Sequence, residues 1–219
     1  MIFRKITKND ELYPNKLKQI IDPPQVLYYL GDIMLLQNNC LAIVGCRNAS
    51  QYGIKIAKIF ANEISKAGIT IVSGLARGID TTAHKYALSS IGKTIAVLGC
   101  GIDIIYPREN EGLFKDIINN GGLIISEFEP GTAPLKENFP KRNRIISALS
   151  EGILVVEAKK RSGTMITVDC ALEQGKDVFV IPGNIDSLNS VGTNELIKEG
   201  AICVTNYNEV IGTFAKSHI

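Results

Sequence analysis

The residues best suited to chemistry in this 219-residue chain stand in loops that directly follow its apolar runs. Five such loops are rich in Gly, Ser and Arg: Gly45-Cys46-Arg47-Asn48-Ala49-Ser50, Ser73-Gly74-Leu75-Ala76-Arg77-Gly78, Gly99-Cys100-Gly101, Lys159 to Thr164 (KKRSGT), and Pro182-Gly183-Asn184. Glycine lets backbone N–H groups approach a ligand, and helix N-termini add partial positive charge, so these loops suit phosphate oxygens. One such loop indicates an ordinary turn, but five at one edge of a sheet indicate a phosphate-binding surface.

We therefore predict that phosphate groups are held by the loop residues that present amides, hydroxyls or a cation. These are Gly45, Ser73, Gly74, Arg77, Gly78, Ser162, Gly163, Thr164 and Gly183. Ser50 and Thr164 could also cap the helices that follow their loops.

A second feature is the stretch from Lys136 to Arg144 (KENFPKRNR), which places one aromatic ring among cations. Phe139 precedes Pro140 in an apparently polar loop, without the neighbours that would mark it as part of the core. A ring flanked by cations suits a chain of stacked bases joined by phosphates. The other interpretation, a phenylalanine that pins its loop to the sheet, stays open.

Several common chemistries are excluded by missing residues. The first loop lacks the G-x-G-x-x-G pattern of dinucleotide-binding folds, and Gly92-Lys93-Thr94 leads into a strand rather than a helix, unlike a P-loop. His84 and His218 are the only histidines, which leaves no imidazole pair for a metal. We expect no cofactor, no metal and no enzymatic activity.

Three carboxylates at or just past strand ends could still act as acids. Asp103, Glu127 and Glu157 are better explained as acceptors of hydrogen bonds from loop amides and arginines.

Alternating apolar runs and helical segments predict the fold class. The runs lie at 26–30, 41–45, 69–73, 94–99, 123–127, 153–157 and 178–182, and they are continuous, as strands covered on both faces should be. Helical spacing marks 54–67 and about 80–90, 110–120, 140–150, 164–174 and 192–199. The pattern predicts an α/β, extended Rossmann-like fold whose mostly parallel sheet has helices on both faces.

Length and composition predict one domain over residues 1–219, with residues 1–35 as an N-terminal extension that contains a helix and an added edge strand. No run approaches the roughly 18 apolar residues of a membrane span, so we expect a cytoplasmic protein without a membrane partner. The five cysteines show no disulfide or metal spacing, and the net charge of +2 does not by itself indicate a polyanion partner.

From about Tyr13 to Val210 the chain resembles the DNA-processing protein A family, also called Smf, of bacterial natural transformation. The motifs that carry the resemblance are Val44-Gly45-Cys46-Arg47, Ser73 to Asp80 with Ala83-His84, Tyr106-Pro107, Ser126-Glu127, Phe139-Pro140, Arg142 to Ile146, Val156-Glu157-Ala158, Ser162-Gly163-Thr164, Pro182-Gly183 and Gly192 to Ile197. Cys46 departs from the Thr or Ser that is common in the family. The chain also has no room for the helical and winged-helix-like domains that often flank this region.

The resemblance implies a protein that binds single-stranded DNA, usually as a homodimer, and helps to load the RecA recombinase onto it. By motif position, Arg47 and Lys136 would contact phosphate, Phe139 would stack on a base, and Arg142 and Arg144 would border the same pocket. With the residues around these motifs, the predicted DNA-binding set is Arg47, Ser50, Lys136, Phe139, Lys141, Arg142, Asn143 and Arg144.

Two other functions stay open from the sequence. Related Rossmann-like phosphoribohydrolases cleave nucleoside monophosphates with a P-G-G-x-G-T-x-x-E motif, but here Pro182-Gly183 and Gly192-Thr193-Asn194-Glu195 are separated by residues 184–191. The third interpretation is a pocket that senses a nucleotide-derived signal.

Overall fold

One nine-stranded sheet organises the computed structural model, which describes residues 2–216; His218 lies outside them. The strands run in the order β1-β2-β6-β5-β4-β3-β7-β8-β9. Their bounds are β1 Arg4–Thr7, β2 Val26–Gly31, β3 Cys40–Val44, β4 Thr70–Ser73, β5 Thr94–Val97, β6 Leu123–Ser126, β7 Gly152–Val155, β8 Asp177–Val180 and β9 Ile202–Cys203.

Helices cover both faces of this sheet. They are α1 Asn15–Lys18, α2 Gln51–Lys66, α3 Ile79–Ala87, α4 Glu111–Asn119, α5 Asn138–Leu149, α6 Gly163–Glu173, α7 Val191–Lys198 and α8 Tyr207–Lys216, with 3₁₀ turns at Ile33–Gln37 and Arg108–Asn110. Among residues 2–216, none of these helices is long and apolar enough to cross a bilayer.

The predicted fold class is confirmed. Strands β3 to β9 pair in parallel, while β1 and β2 form an antiparallel addition at the β6 edge. Every residue of β3, β4, β5, β6 and β7 is buried, which explains why these strands read as continuous apolar runs. Neither β9 nor α8 was predicted. The strand β9 has two exposed residues at the sheet edge and therefore carries no apolar pattern.

The chain order changes direction around β3. From β3 the chain proceeds through β4, β5 and β6 on one side, and then returns to place β7 and β8 on the other side. In open α/β sheets ligands bind at the carboxyl ends of the strands beside such a reversal. The loops after β3 and β7 therefore lie where a ligand site is expected.

The stretch from Lys136 to Arg144 differs from the prediction. The sequence predicts a polar loop around Phe139 and a helix from about residue 140, but α5 begins at Asn138 and includes Phe139 and Pro140 in its first turn. Proline is tolerated there because the first N–H groups of a helix have no partner inside the helix. Phe139 is consequently carried by a helix end rather than by a mobile loop.

Arg142 ties α5 to the centre of the sheet. Its side chain is 4% exposed, and Nη1 donates to the carbonyl oxygens of Gly74, at 2.6 Å, and of Val97. A Cβ at Gly74 would stand 2.5 Å from Nη1, so glycine is needed for the guanidinium to fit. Burial lowers the pKa of Arg142 to about 10, and the nearby Asp80 carboxylate opposes that shift, so the side chain remains a cation at neutral pH.

The loop after β4 is fixed by two buried side chains of α3. Asp80 Oδ2 accepts from the amides of Gly74 and Ala76 at 3.1 and 3.3 Å, and His84 Nε2 accepts from the amide of Leu75 at 3.2 Å. Burial, together with the charge of Arg142, lowers the pKa of His84 to about 3, so this imidazole is neutral. Asp80 and His84 therefore fix the backbone conformation of the loop after β4.

We expect Arg142→Ala to reduce the free energy of unfolding by about 3 to 5 kcal/mol, because it leaves the Asp80 carboxylate buried without its cation. Arg142→Lys should lose less, since it keeps the charge but not the planar fork. Urea unfolding followed by circular dichroism measures both. The control is the exposed neighbour Lys141: the free energy of unfolding of Lys141→Ala should lie within about 0.5 kcal/mol of the wild-type value. An Arg142→Ala protein that is as stable as the wild type would contradict the proposed role of Arg142 in holding α5 against the sheet.

Candidate nucleic-acid interface

A cavity of about 660 Å³ opens at the carboxyl edge of the sheet. It lies between the loop after β3, the loop after β7 and the first turn of α5. The two loops come from the strands beside the chain reversal, so the cavity occupies the place where α/β sheets bind ligands.

Three exposed cations from three segments border this cavity, in addition to the buried Arg142. Arg47 follows β3, Lys136 precedes α5, and Lys159 follows β7; all three are exposed. None of the ion pairs found among residues 2–216 includes any of them. Their charges are therefore available to an anionic ligand.

Phe139 forms part of the wall between these cations. The Arg47 guanidinium carbon lies 5.4 Å from the ring centroid, and the Tyr106 ring centroid lies 5.6 Å from it at an interplanar angle of 44°. A Cβ at Gly99 would stand 2.9 Å from Phe139 Cδ1, so the ring also packs closely on that loop. The half-buried ring thus packs against the sheet, as the pinning interpretation expects, and it also lines the cavity, so base stacking on it stays a prediction.

The N-terminus of α6 closes the opposite wall. Ser162 occupies the N-cap position without a capping bond, and its buried Oγ has no hydrogen-bond partner among the described residues. A Cβ at Gly163 would meet nothing within 4 Å, so the backbone there is open to the cavity. Thr164 also lines the cavity but lies inside the helix, so the prediction that it caps α6 is wrong. Free N–H groups and a helix N-terminus favour an anion at this wall.

Three glycines of the first two loops stand where packing leaves no room for a side chain. A Cβ at Gly45 would stand 2.7 Å from Ile79 Cγ1, and Gly74 makes room for Arg142. Gly78 has φ +73° and leaves no space for a side chain beside the Cys46 carbonyl oxygen. Packing within the protein therefore requires glycine at these three positions. Gly45 also borders the cavity, so its contact with phosphate stays a prediction.

Two predicted site residues lie elsewhere. Ser73 is fully buried and its Oγ donates to the Ile43 carbonyl oxygen at 2.7 Å, so it cannot line the pocket. Arg144 does not border the cavity, because its guanidinium forms two bonds of 2.8 and 2.7 Å with Glu127 and an ion pair of 3.3 Å with Asp22. Both predictions failed because residues adjacent in sequence point to different sides of a strand or helix.

Lys141 and Asn143, two further predicted site residues on α5, face different surroundings. Lys141 is exposed outside the cavity. Asn143 borders the cavity, but its amide is engaged: Nδ2 donates to the Gly163 carbonyl oxygen at 3.2 Å and Oδ1 accepts from Arg142 Nε at 3.2 Å. Asn143 thus connects α5 to the start of α6.

A separate cleft of about 520 Å³ contains Ser50 and Gly183. Ser50 caps α2, as predicted, by accepting from the Gly53 amide at 3.1 Å. Its own amide donates to Glu157 Oε2 at 2.9 Å, and its hydroxyl donates to Glu157 Oε1. The buried carboxylate therefore organises this loop.

Arg77 borders a third, small cavity of about 40 Å³ beside Phe139. Its guanidinium forms an ion pair with Glu109, and both side chains are exposed.

The predicted structural role of the three carboxylates is confirmed. Glu157 and Asp103 accept from loop amides, Asp103 from Gly131 at 2.8 Å, and Glu127 accepts from an arginine. Glu195, the acid of the interrupted phosphoribohydrolase motif, pairs with Lys160 at 2.8 Å on the surface. Among residues 2–216 no cluster of His, Cys, Asp and Glu could hold a metal ion.

Tyr106 was not among the predicted site residues, although it borders the cavity and is 41% exposed. The available signal was an aromatic residue followed by Pro107, shortly after a glycine-rich loop.

Comparison with known proteins places this architecture in a family. Residues 4–215 match the model of the DNA recombination-mediator protein A family. Protein Smf of Escherichia coli K12 is 47% identical over 206 residues, which are 94% of this chain and 55% of that protein. DNA processing protein DprA of Streptococcus pneumoniae R6 is 47% identical over 205 residues, 94% of this chain and 72% of that protein. The chain thus spans little more than half of the first relative.

Solved structures of DNA processing protein A have the same fold as this chain. The X-ray structure of Streptococcus pneumoniae DNA processing protein A superposes with a TM-score of 0.90 at 45% identity, covering 96% of this chain and 74% of that one. Helicobacter pylori DNA processing protein A, whose structure concerns its single-stranded DNA binding mode, gives a TM-score of 0.88 at 34% identity, covering 98% and 96%. The names of these relatives describe DNA processing and recombination mediation and state no catalysed reaction. This chain belongs to the DNA recombination-mediator protein A family, also known as DprA or Smf.

Proposed function

We propose that this chain binds single-stranded DNA without sequence preference in the 660 Å³ cavity. The observation that carries the proposal is that Arg47, Lys136 and Lys159, free of ion pairs within residues 2–216, border the same cavity as the Phe139 ring. Binding of single strands combines cations that follow the backbone with aromatic rings on which bases stack. The single-stranded DNA binding named for the Helicobacter pylori relative supports the same ligand.

Within this proposal the two walls of the cavity bind different parts of the strand. Phosphates lie between Arg47, Lys136 and the N-terminus of α6, where Gly163 is open and Ser162 Oγ lacks a partner among the described residues. A base stacks on the accessible part of Phe139. Arg142 lines the cavity from a buried position and stabilises the site through its bonds to the Gly74 and Val97 carbonyl oxygens.

The family resemblance extends the proposal to partners. The chain would act in the cytoplasm as a homodimer that protects incoming DNA and loads RecA onto it during natural transformation and recombination. Family membership supports this role.

The phosphate contacts predict a specific salt dependence. We expect Lys136→Gln to weaken binding of a fluorescein-labelled dT oligomer and to reduce the slope of log K against log salt by about 0.7, the value for one phosphate contact on a single strand. Arg47→Gln should behave alike. Fluorescence anisotropy across a salt series measures both, with Lys141→Gln, an exposed cation outside the cavity, as the matched control. An unchanged slope in both variants, or no binding of dT by the wild type at low salt, would refute the proposed site.

The stacking contact predicts the opposite pattern at Phe139. Phe139→Leu keeps an apolar side chain over Gly99 but removes the ring, and we expect a roughly 5- to 150-fold loss of affinity with an unchanged salt slope. Phe139→Tyr should bind like the wild type. If leucine binds as tightly as phenylalanine, the ring is only a structural contact.

The proposed loading role predicts that the protein shortens the lag before RecA filaments form on dT covered by single-strand-binding protein. We expect Arg47→Glu to abolish this effect, because RecA loading requires the mediator to hold the strand. RecA ATP hydrolysis reports filament formation, and sedimentation velocity reports the dimer. A lag that is equally short with Arg47→Glu would separate RecA loading from this cavity.

A further inference from the structure

Tyr106 lies at the proposed DNA-binding cavity but has no role in the function proposed above. It borders both the 660 Å³ cavity and the 40 Å³ cavity, and it is 41% exposed. We propose that Tyr106 is a second base-stacking residue, so that two neighbouring bases of a single strand are bound, one on Phe139 and one on Tyr106. This inference rests on the proposed function and specifies how many bases the site holds.

The surroundings of Phe139 show why one ring is insufficient. The Arg47 and Arg142 guanidinium carbons lie 5.4 and 5.9 Å from its centroid, and Gly99 packs closely on its edge. Much of this ring is therefore already in contact with the protein. Tyr106 is the more exposed of the two aromatic residues at this opening, and base stacking requires an accessible face.

The backbone that carries Tyr106 is well anchored. Asn110, one turn later, is buried; its Nδ2 donates to the Leu75 carbonyl oxygen at 2.8 Å and to Thr81 Oγ1 at 2.9 Å. Leu75 belongs to the loop that His84 and Asp80 hold from below. The ring thus stands on a fixed segment, and a binding residue held in this way loses little entropy when its ligand arrives.

The relative placement of the two rings selects an unpaired strand. Their centroids are 5.6 Å apart and their planes are inclined by 44°. Bases of a duplex strand follow one another at about 3.4 Å and nearly in parallel. Two bases that lie flat on these rings are inclined relative to each other, which a single strand permits and a duplex opposes. The pair of rings would therefore contribute to the preference for single strands.

The test compares Tyr106→Ala with Tyr106→Phe on two ligands, a dT oligomer and an abasic oligomer of the same length. On dT we expect a roughly 5- to 150-fold loss for Tyr106→Ala and almost none for Tyr106→Phe, because stacking needs the ring and not the hydroxyl. On the abasic oligomer Tyr106→Ala should bind like the wild type, since there is no base to stack. Tyr52→Ala is the matched control: Tyr52 is 45% exposed, but it borders the separate 520 Å³ cleft.

Two results would overturn the inference while leaving the proposed function intact. One is an unchanged affinity of Tyr106→Ala for dT; the other is an equal loss on dT and on the abasic oligomer, which would show that Tyr106 only supports the structure. Failure of the wild type to bind dT would overturn both proposals.

A second readout needs no variant. Irradiation of the wild-type protein with a dT oligomer that contains 5-iodouracil should join the base to a stacked aromatic ring, and peptide mass spectrometry should locate crosslinks at both Tyr106 and Phe139. Crosslinks at Phe139 alone would contradict the inference, even if Tyr106→Ala were too unstable for binding measurements.

Discussion

The buried charge of Arg142 is the interaction on which the proposed site depends. A guanidinium that is 4% exposed must be hydrogen-bonded and compensated, because an unpaired charge in the interior costs several kcal/mol. Carbonyl oxygens of Gly74 and Val97 bind it, and the Asp80 carboxylate supplies the opposite charge. Since these partners belong to the loop after β4, to β5 and to α3, satisfying one cation fixes α5 against three parts of the fold at once.

The structural cation Arg142 is therefore distinct from Arg47 and Lys136, the cations that are available to a ligand. Arg142 lies three residues after Phe139 on α5, so the same tether sets the position of the ring. Arg47 and Lys136 stand at the rim of the cavity, exposed to solvent, where phosphates could displace water from them at low cost. The site thereby combines a fixed apolar wall with adaptable charges, which suits a ligand of regular backbone and variable bases.

Most of the fold was predictable from the sequence because its strands and helices are marked by apolar patterns within short segments. Strands buried on both faces give continuous apolar runs, and seven such runs correspond to β2 through β8. The edge strand β9 was not predicted, since an exposed two-residue strand has no such run. The pattern places the start of α5 at about residue 140 rather than at Asn138, because Pro140 and the cations around it resemble a loop, whereas proline is tolerated in the first turn of a helix.

The sequence by itself determined the fold class, the five loops at one edge and the chemical types present there, because each depends on residue identity and short-range spacing. Only the tertiary structure decided which cations are free. Arg142, Arg144 and Lys141 lie within four positions on one helix, yet the first is buried, the second pairs with Glu127 and the third lies outside the cavity. A helix turns by about 100° per residue, so neighbours in sequence face different surroundings, and those surroundings come from parts of the chain that are distant in sequence.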